Sequence, residues 1–180
     1  ATRRWVLRPD RVRDDVFGNP TVRANMHAGN NWDDVTGESG PEDPDLSLIS
    51  FQSIDGRPIA VLANFSMHYF SGEQGLSADY FGLFCEGLKS HIAGNKLKQD
   101  GPPFVGIMSH GCSGDIWRRD YTKPAASRKN PTIESYTKGL LKIALAAYGT
   151  IQYRDDVDVA MAEARLELKY RVPDQQRLNW

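Results

Sequence analysis

Two short stretches of the chain hold residue types able to bind a metal ion or act on a substrate. The first is Asn64-Phe65-Ser66-Met67-His68-Tyr69, in which an apolar run delivers His68 at its end. The second is Ser109-His110-Gly111-Cys112-Ser113-Gly114-Asp115, which gathers an imidazole, a thiol, hydroxyls and a carboxylate. A histidine at a strand end reads either as a hydrogen-bonded structural residue or as a metal ligand. His110 and Cys112 share a loop, but two ligands do not close a zinc site, which needs three or four. Gly111-Cys112-Ser113-Gly114 has the look of a nucleophile elbow, yet the G-x-S-x-G spacing fails because Asp occupies position 115. Gly111 and Gly114 permit a tight turn that brings N–H groups to an anion or a carbonyl. The alternative is a plain tight turn fixed by Asp115. His91 falls within a helical pattern, at the surface, and His27 lies unplaced in a long loop. Trp5, Trp32, Trp117 and Trp180 are too scattered to form a stacking platform by spacing.

These stretches need elements that bring them to one place. Leu46, Leu48 and Ile49 lead into Phe51, Asp55-Gly56 marks a hairpin turn, and residues 58 to 65 read as a second strand. Its unbroken apolar run, Ile59 to Ala63, predicts burial on both faces in mid-sheet. Ser77 caps a helix expected over 78 to 93, with Phe81, Phe84, Leu88 and Ile92 at helical spacing and Gly94 as its stop. Gly82 and Gly87 inside it indicate close packing against a neighbour. Residues 104 to 108 form a short buried strand leading into the His110 loop. Asn130 as cap and Pro131 at the first position open a second helix that ends near Gly149. Residues 157 to 172 alternate apolar and polar, which predicts a last strand, with a phase slip between Met161 and Ala164 that marks a bulge.

The order strand, helix, strand, helix, strand places the chain in the α/β class, as a layered sheet with flanking helices. Residues 1 to 44 read as a loop-rich lead-in, 45 to 172 as the core, and 173 to 180 as an exit. The two strands that precede the candidate loops are expected to be parallel neighbours joined by the 78 to 93 helix. That arrangement brings His68 and the His110 to Asp115 turn to one sheet edge, where ligands of open α/β sheets gather.

Composition limits the function. The 180 residues are 40% apolar and 25% charged, enough for a buried core. Lys and Arg number 22 against 23 Asp and Glu, so no basic excess exists to draw the chain onto nucleic-acid phosphates. No apolar run approaches the roughly 20 residues of a membrane helix. Two cysteines, Cys85 and Cys112, are too few for a disulfide scaffold and read as free thiols. The start at Ala1, without methionine or signal peptide, reads as a processed or excised segment.

The motif order resembles that of the neutral/alkaline non-lysosomal ceramidases. The matching segments are Asp45-Leu46-Ser47-Leu48-Ile49 through Asp55-Gly56-Arg57-Pro58-Ile59, Asn64-Phe65-Ser66-Met67-His68, Ser77-Ala78-Asp79-Tyr80-Phe81-Gly82 and Ser113-Gly114-Asp115-Ile116. A bacterial ceramidase-like branch is similar again at Thr2-Arg3-Arg4-Trp5 and Gly40-Pro41-Glu42-Asp43-Pro44. The resemblance implies that His68 binds zinc and that Arg3 lies near the substrate amide. The family's remaining ligands, a second His, a Glu and a Tyr, find no match here, which implies a middle segment of a larger catalytic domain. Where the family has V-S-P after its glycine-aspartate turn, this chain has Ile116-Trp117-Arg118, so Trp117 replaces the serine at the reaction centre. Ser113 is then the substitute hydroxyl.

The resemblance thus implies a zinc-dependent hydrolase of an N-acyl amide, ceramide or a related lipid amide, in a secreted or periplasmic protein. Arg3 and Ser113 are the expected catalytic groups and His68 the expected metal ligand, with the rest of the parent chain and a lipid amide as partners. The competing expectation is a non-catalytic relative that keeps the same layer as a binding or structural module on the cell surface.

Overall fold

A computed structural model describes residues 2–15, 17–21, 23–26, 32–72, 75–94, 101–170 and 172–179. Its centre is a three-stranded sheet of β6 (Ser47–Gln52), β7 (Pro58–Phe65) and β8 (Val105–His110), in that order. The hairpin from β6 to β7 is antiparallel and turns at Gly56, whose φ of 81° is open to glycine without strain. Its N–H donates to the Ser53 carbonyl at 2.8 Å, closing the turn.

β7 and β8 run parallel, with Ala60 opposite Val105 and Phe65 opposite His110. Helix α1 (Asp79–Leu88) lies between them in sequence. Tyr80, Phe84 and Leu88, spaced one turn apart, are fully buried and share one core with Val61 and Ala63 of β7. Burying a side chain such as Phe84 stabilises the fold by about 1.5–3 kcal/mol. Helix α2 (Ile133–Tyr148) adds Leu140 and Ala144 to the same core. Both helices therefore cover one face of the sheet.

Two glycines set how closely the layers approach. A Cβ on Gly87 would lie 2.5 Å from Leu141 Cδ2 of α2, and one on Gly106 of β8 would lie 2.9 Å from the Cys85 carbonyl oxygen of α1. The expectation that Gly87 marks close packing agrees with this geometry. Gly82 meets only Ala78 of its own helix start.

Several expectations need correction. Among the described residues the sheet is covered on one face only: Ile49 and Phe51 of β6 and Val105 and Ile107 of β8 stand 46–56% exposed on the other. The apolar run of β7 marked a central strand correctly, but not burial on both faces, and β8 is an open edge strand. The helix does reach residue 93 and stop at Gly94 as expected, its last turn, Lys89–Ala93, being widened. The cap of α2 is Thr132, whose hydroxyl accepts the Ser135 N–H, so Asn130 and Pro131 sit before the helix.

The alternating stretch from 157 forms no strand among its described residues. Among its described residues Val157, Val159, Met161, Leu166, Leu168 and Tyr170 are exposed, without ladder pairing. Alternation encodes a strand only where a partner edge and a covering layer exist, and here the chain has left both. The lead-in is more ordered than its composition implied. β1 (Arg4–Leu7) sits between β4 (Arg23–Met26) and β5 (Val35–Glu38) in a second small antiparallel sheet, and β2 (Arg13–Asp14) pairs with β3 (Pro20–Thr21). Trp5, Leu7 and Tyr121 form its buried cluster, with Trp32, Val35 and Trp117 packed against them.

Candidate active site

Parallel pairing through Phe65 and His110 carries both candidate loops off the same edge of the sheet. The chains then stay together: Gly111 N–H donates to the Phe65 carbonyl at 3.0 Å, and His68 N–H to the Ile116 carbonyl at 3.3 Å. Gly111 lets the two chains approach closely. A Cβ there would overlap Ser66 Oγ and fall 3.2 Å from Asn64 Oδ1 and from Ser66 Cα. Asn64 in turn donates to Ser109 Oγ at 2.8 Å, so the two strand ends are tied by side chains as well.

The segment carrying Arg3 crosses the far side of the turn. Thr2 pairs with Ile116 in an isolated bridge, and Arg3 N–H donates to the Asp115 carbonyl at 2.8 Å. The Arg3 guanidinium donates to the Gly114 carbonyl at 2.8 Å and lies 5.5 Å from the centre of the Trp117 ring. The His68 imidazole stands on the same indole, centroids 5.1 Å apart, with Tyr69 on it at 4.1 Å. Arg118 stacks at 4.5 Å on Trp117 and on Phe70. Arg3 and His68 are therefore brought together around Trp117, and the Ser113 turn is joined to them through Arg3.

The state of His68 follows from its neighbour. Its Nδ1 lies 3.0 Å from the Tyr69 carbonyl, which only accepts, so Nδ1 carries a proton. In the neutral imidazole this leaves the Nε2 lone pair available, the arrangement common to histidine ligands whose other nitrogen is held by a backbone carbonyl. Among the described residues no group of three or more His, Cys, Asp and Glu side chains is placed to hold a metal ion. His110 and Cys112 do not supplement His68 in that sense. The Arg3 Nε is buried without a hydrogen-bond partner among the described residues, an unused donor beside the turn.

Ser113 is buried, 7% exposed, and its Oγ makes a short hydrogen bond with His110 Nε2. The His110 ring meets Phe81 of α1 edge to face at 5.3 Å. A turn closed by Ile116 N–H donating to the Ser113 carbonyl follows at once. Among the described residues no hydrogen bond to the Asp115 carboxylate holds it, contrary to expectation. Asp115 contributes its carbonyl, as acceptor for Arg3, while the i to i+3 bond and the Arg3 segment supply the closure that a carboxylate would otherwise give. Cys112 is an exposed thiol and Cys85 a half-buried one whose pKa is raised by burial; both are free, as expected.

Two cavities open beside this turn. One of about 410 Å³ is lined by Met67, Trp117, Arg118, Arg119 and Tyr136 among others; the second, about 400 Å³, is lined by Cys112, Ser113, Gly114 and Asp115. Glu42, Asp43 and Ile116 border both. The Pro41 to Pro44 segment thus forms a wall of the site.

Asp79 is the residue whose role was not foreseen. Its carboxylate accepts the N–H groups of Tyr80 at 2.7 Å, Phe70 at 2.8 Å and Ser71 at 3.2 Å, tying the start of α1 to the chain just beyond His68. Its own φ is 51°, uncommon for a residue with a side chain, and these bonds hold it there. The Ser77 hydroxyl takes the Asp79 N–H at 3.0 Å, so Ser77 acts one step behind the helix rather than as its cap. His91 is on the α1 surface as expected, and His27 and Trp180 lie outside the described residues. Trp5 and Trp32 pack at 5.1 Å within the small core.

Comparison of the chain with protein-family models, curated proteins and solved structures gives no match. Among the described residues no helix is long and apolar enough to cross a membrane.

Proposed function

We propose that this chain is part of the catalytic unit of a ceramidase-like, zinc-dependent hydrolase that cleaves an N-acyl amide, such as a lipid amide, outside the cytoplasm. One observation carries the reading. Arg3, which reaches across 111 residues to the Gly114 carbonyl, and His68 stand at positions that resemble the family's, and both lie against the Trp117 indole.

In this reading His68 offers Nε2 to the metal, with Nδ1 held by the Tyr69 carbonyl. The chemistry a zinc ion supplies at such a site is activation of water and polarisation of the scissile carbonyl. Further ligands come from outside the described residues. Arg3, already anchored on the Gly114 carbonyl, orients the amide and stabilises negative charge on its oxygen. Trp117 replaces the family's serine with an apolar wall, which selects a different head group. Tyr69, half exposed, packs its ring against His68.

The test is hydrolysis of a fluorescent N-acyl amide series by the full-length protein. Release of fatty acid, abolished by a chelator and lowered about 10²–10³-fold by Arg3→Ala, is expected, as for loss of one donor to a developing oxyanion. No cleavage of any member, or full activity in Arg3→Ala, would overturn the reading. The non-catalytic alternative predicts binding of the amides without turnover.

A further inference from the structure

We propose that Ser113 and His110 form a nucleophile and base able to cleave a small uncharged carboxylic ester, an activity that needs no metal and stands apart from the zinc reading. Ser113 Oγ bonds directly to His110 Nε2, and Ser113 is at once buried and among the residues lining the 400 Å³ cavity. That pairing is the core of an activated nucleophile. The two residues come from the end of β8 and the turn that follows, a rigid setting fixed by Phe81 against the imidazole and by the close approach of Gly111 to Ser66.

The turn also leaves backbone donors free for the ester carbonyl oxygen. In the turn closed by Ile116 N–H and the Ser113 carbonyl, the closing bond uses neither central N–H group. The Gly114 carbonyl faces the Arg3 guanidinium, and in a trans peptide the Asp115 N–H points the opposite way. Substrate class follows from the walls. Glu42, Asp43 and Asp115 line the cavity and repel a carboxylate, so the fitting ester carries no negative charge.

The step balances without a cofactor. Ser113 Oγ bonds to the ester carbonyl carbon while its proton passes to His110 Nε2. The bond from carbon to the alcohol oxygen then breaks, and the alcohol leaves with that proton. Water, deprotonated by His110, attacks the acyl-serine, releasing the carboxylic acid and restoring Ser113.

The probe is a neutral alkyl fluorophosphonate, with peptide mapping by mass spectrometry. One adduct on Ser113 is expected, formed equally well in the presence of a chelator, absent in Ser113→Ala and at least about 10²-fold slower in His110→Gln. Chelation separates this from the zinc reading, since it stops amide hydrolysis there and leaves labelling here untouched. Circular dichroism of each variant checks the fold, and mapping on the unaltered chain decides the matter even if a variant does not fold. No adduct on Ser113, or labelling of His110→Gln as fast as the unaltered chain, would overturn the proposal.

Discussion

The carboxylate of Asp79 accepts the N–H of Phe70 at 2.8 Å, bridging the start of α1 and the chain two residues beyond His68. The bond sits at the junction of core and site. On one side lies the buried ladder of Tyr80, Phe84 and Leu88; on the other, the imidazole against Trp117. Replacing Asp79 by Ala removes an acceptor for three backbone N–H groups and leaves the backbone in a left-handed conformation unsupported. A loss of about 2 kcal/mol is expected, from charge-assisted hydrogen bonds and helix-cap magnitudes. Denaturant unfolding measures it, and amide exchange should quicken at Phe70 and Ser71 before it does so within β7.

Gly111 and Gly114 offer a paired comparison within one turn. Gly111→Ala pushes a methyl into Ser66 and Asn64 and should cost about 1–3 kcal/mol, the usual price of overpacking. Gly114→Ala meets nothing within 4 Å and should stay within about 0.5 kcal/mol of the unaltered chain. Equal midpoints for the two variants would mean that the strand ends do not approach as closely as described.

Alkaline pH should unfold the chain through its buried phenols. Burial pushes the Tyr136 hydroxyl up to about 12, and Tyr80, buried beside it with its O–H donated to the Met67 carbonyl at 3.0 Å, is raised beyond the ordinary phenol range. In the unfolded chain a tyrosine ionises near pH 10, or about that value. Above it the unfolded state binds fewer protons than the folded one, so stability is intact below about pH 10 and falls as pH rises towards about 12. Tyr80→Phe should flatten that fall while losing about 1 kcal/mol at neutral pH for the missing hydrogen bond. Urea midpoints taken across this range decide it.

The core was legible because its signals are local and mutually consistent. Asp55-Gly56 between two apolar runs announces a hairpin, and the helical spacing through Phe84 and Leu88 announces the helix that joins the parallel strands. From these the meeting of His68 with the His110 loop follows by topology. What was not legible depends on partners far away in sequence. The tail beyond residue 156 has the period of a strand, but no edge stands beside it, and period alone cannot report that. The short strands of residues 4 to 38 were hidden by Gly, Asn and Pro, since their pairing rests on Trp5 and Leu7 packing with Tyr121. Asp79 was visible in sequence as a helix-start residue; its grip on Phe70 and Ser71 was not.

Limited proteolysis should expose that tail directly. Arg154, Arg165 and Lys169 are exposed and lie outside regular structure, whereas Lys142 sits within α2. Brief trypsin treatment should therefore cut after Arg154, Arg165 and Lys169 and leave α2 whole. Protection of all three sites, read by intact mass, would show the tail covered in solution.

The measurement that bears most directly on the proposed function is the zinc content of the full-length protein before and after His68→Ala. His68 contributes a single nitrogen, and a stable zinc site requires three or four ligands, so the account predicts one zinc per chain in the unaltered protein. His68→Ala should lose it while the circular dichroism spectrum is retained. A protein that binds no zinc, or one that keeps its zinc after His68→Ala, would contradict the assignment of His68 as a metal ligand.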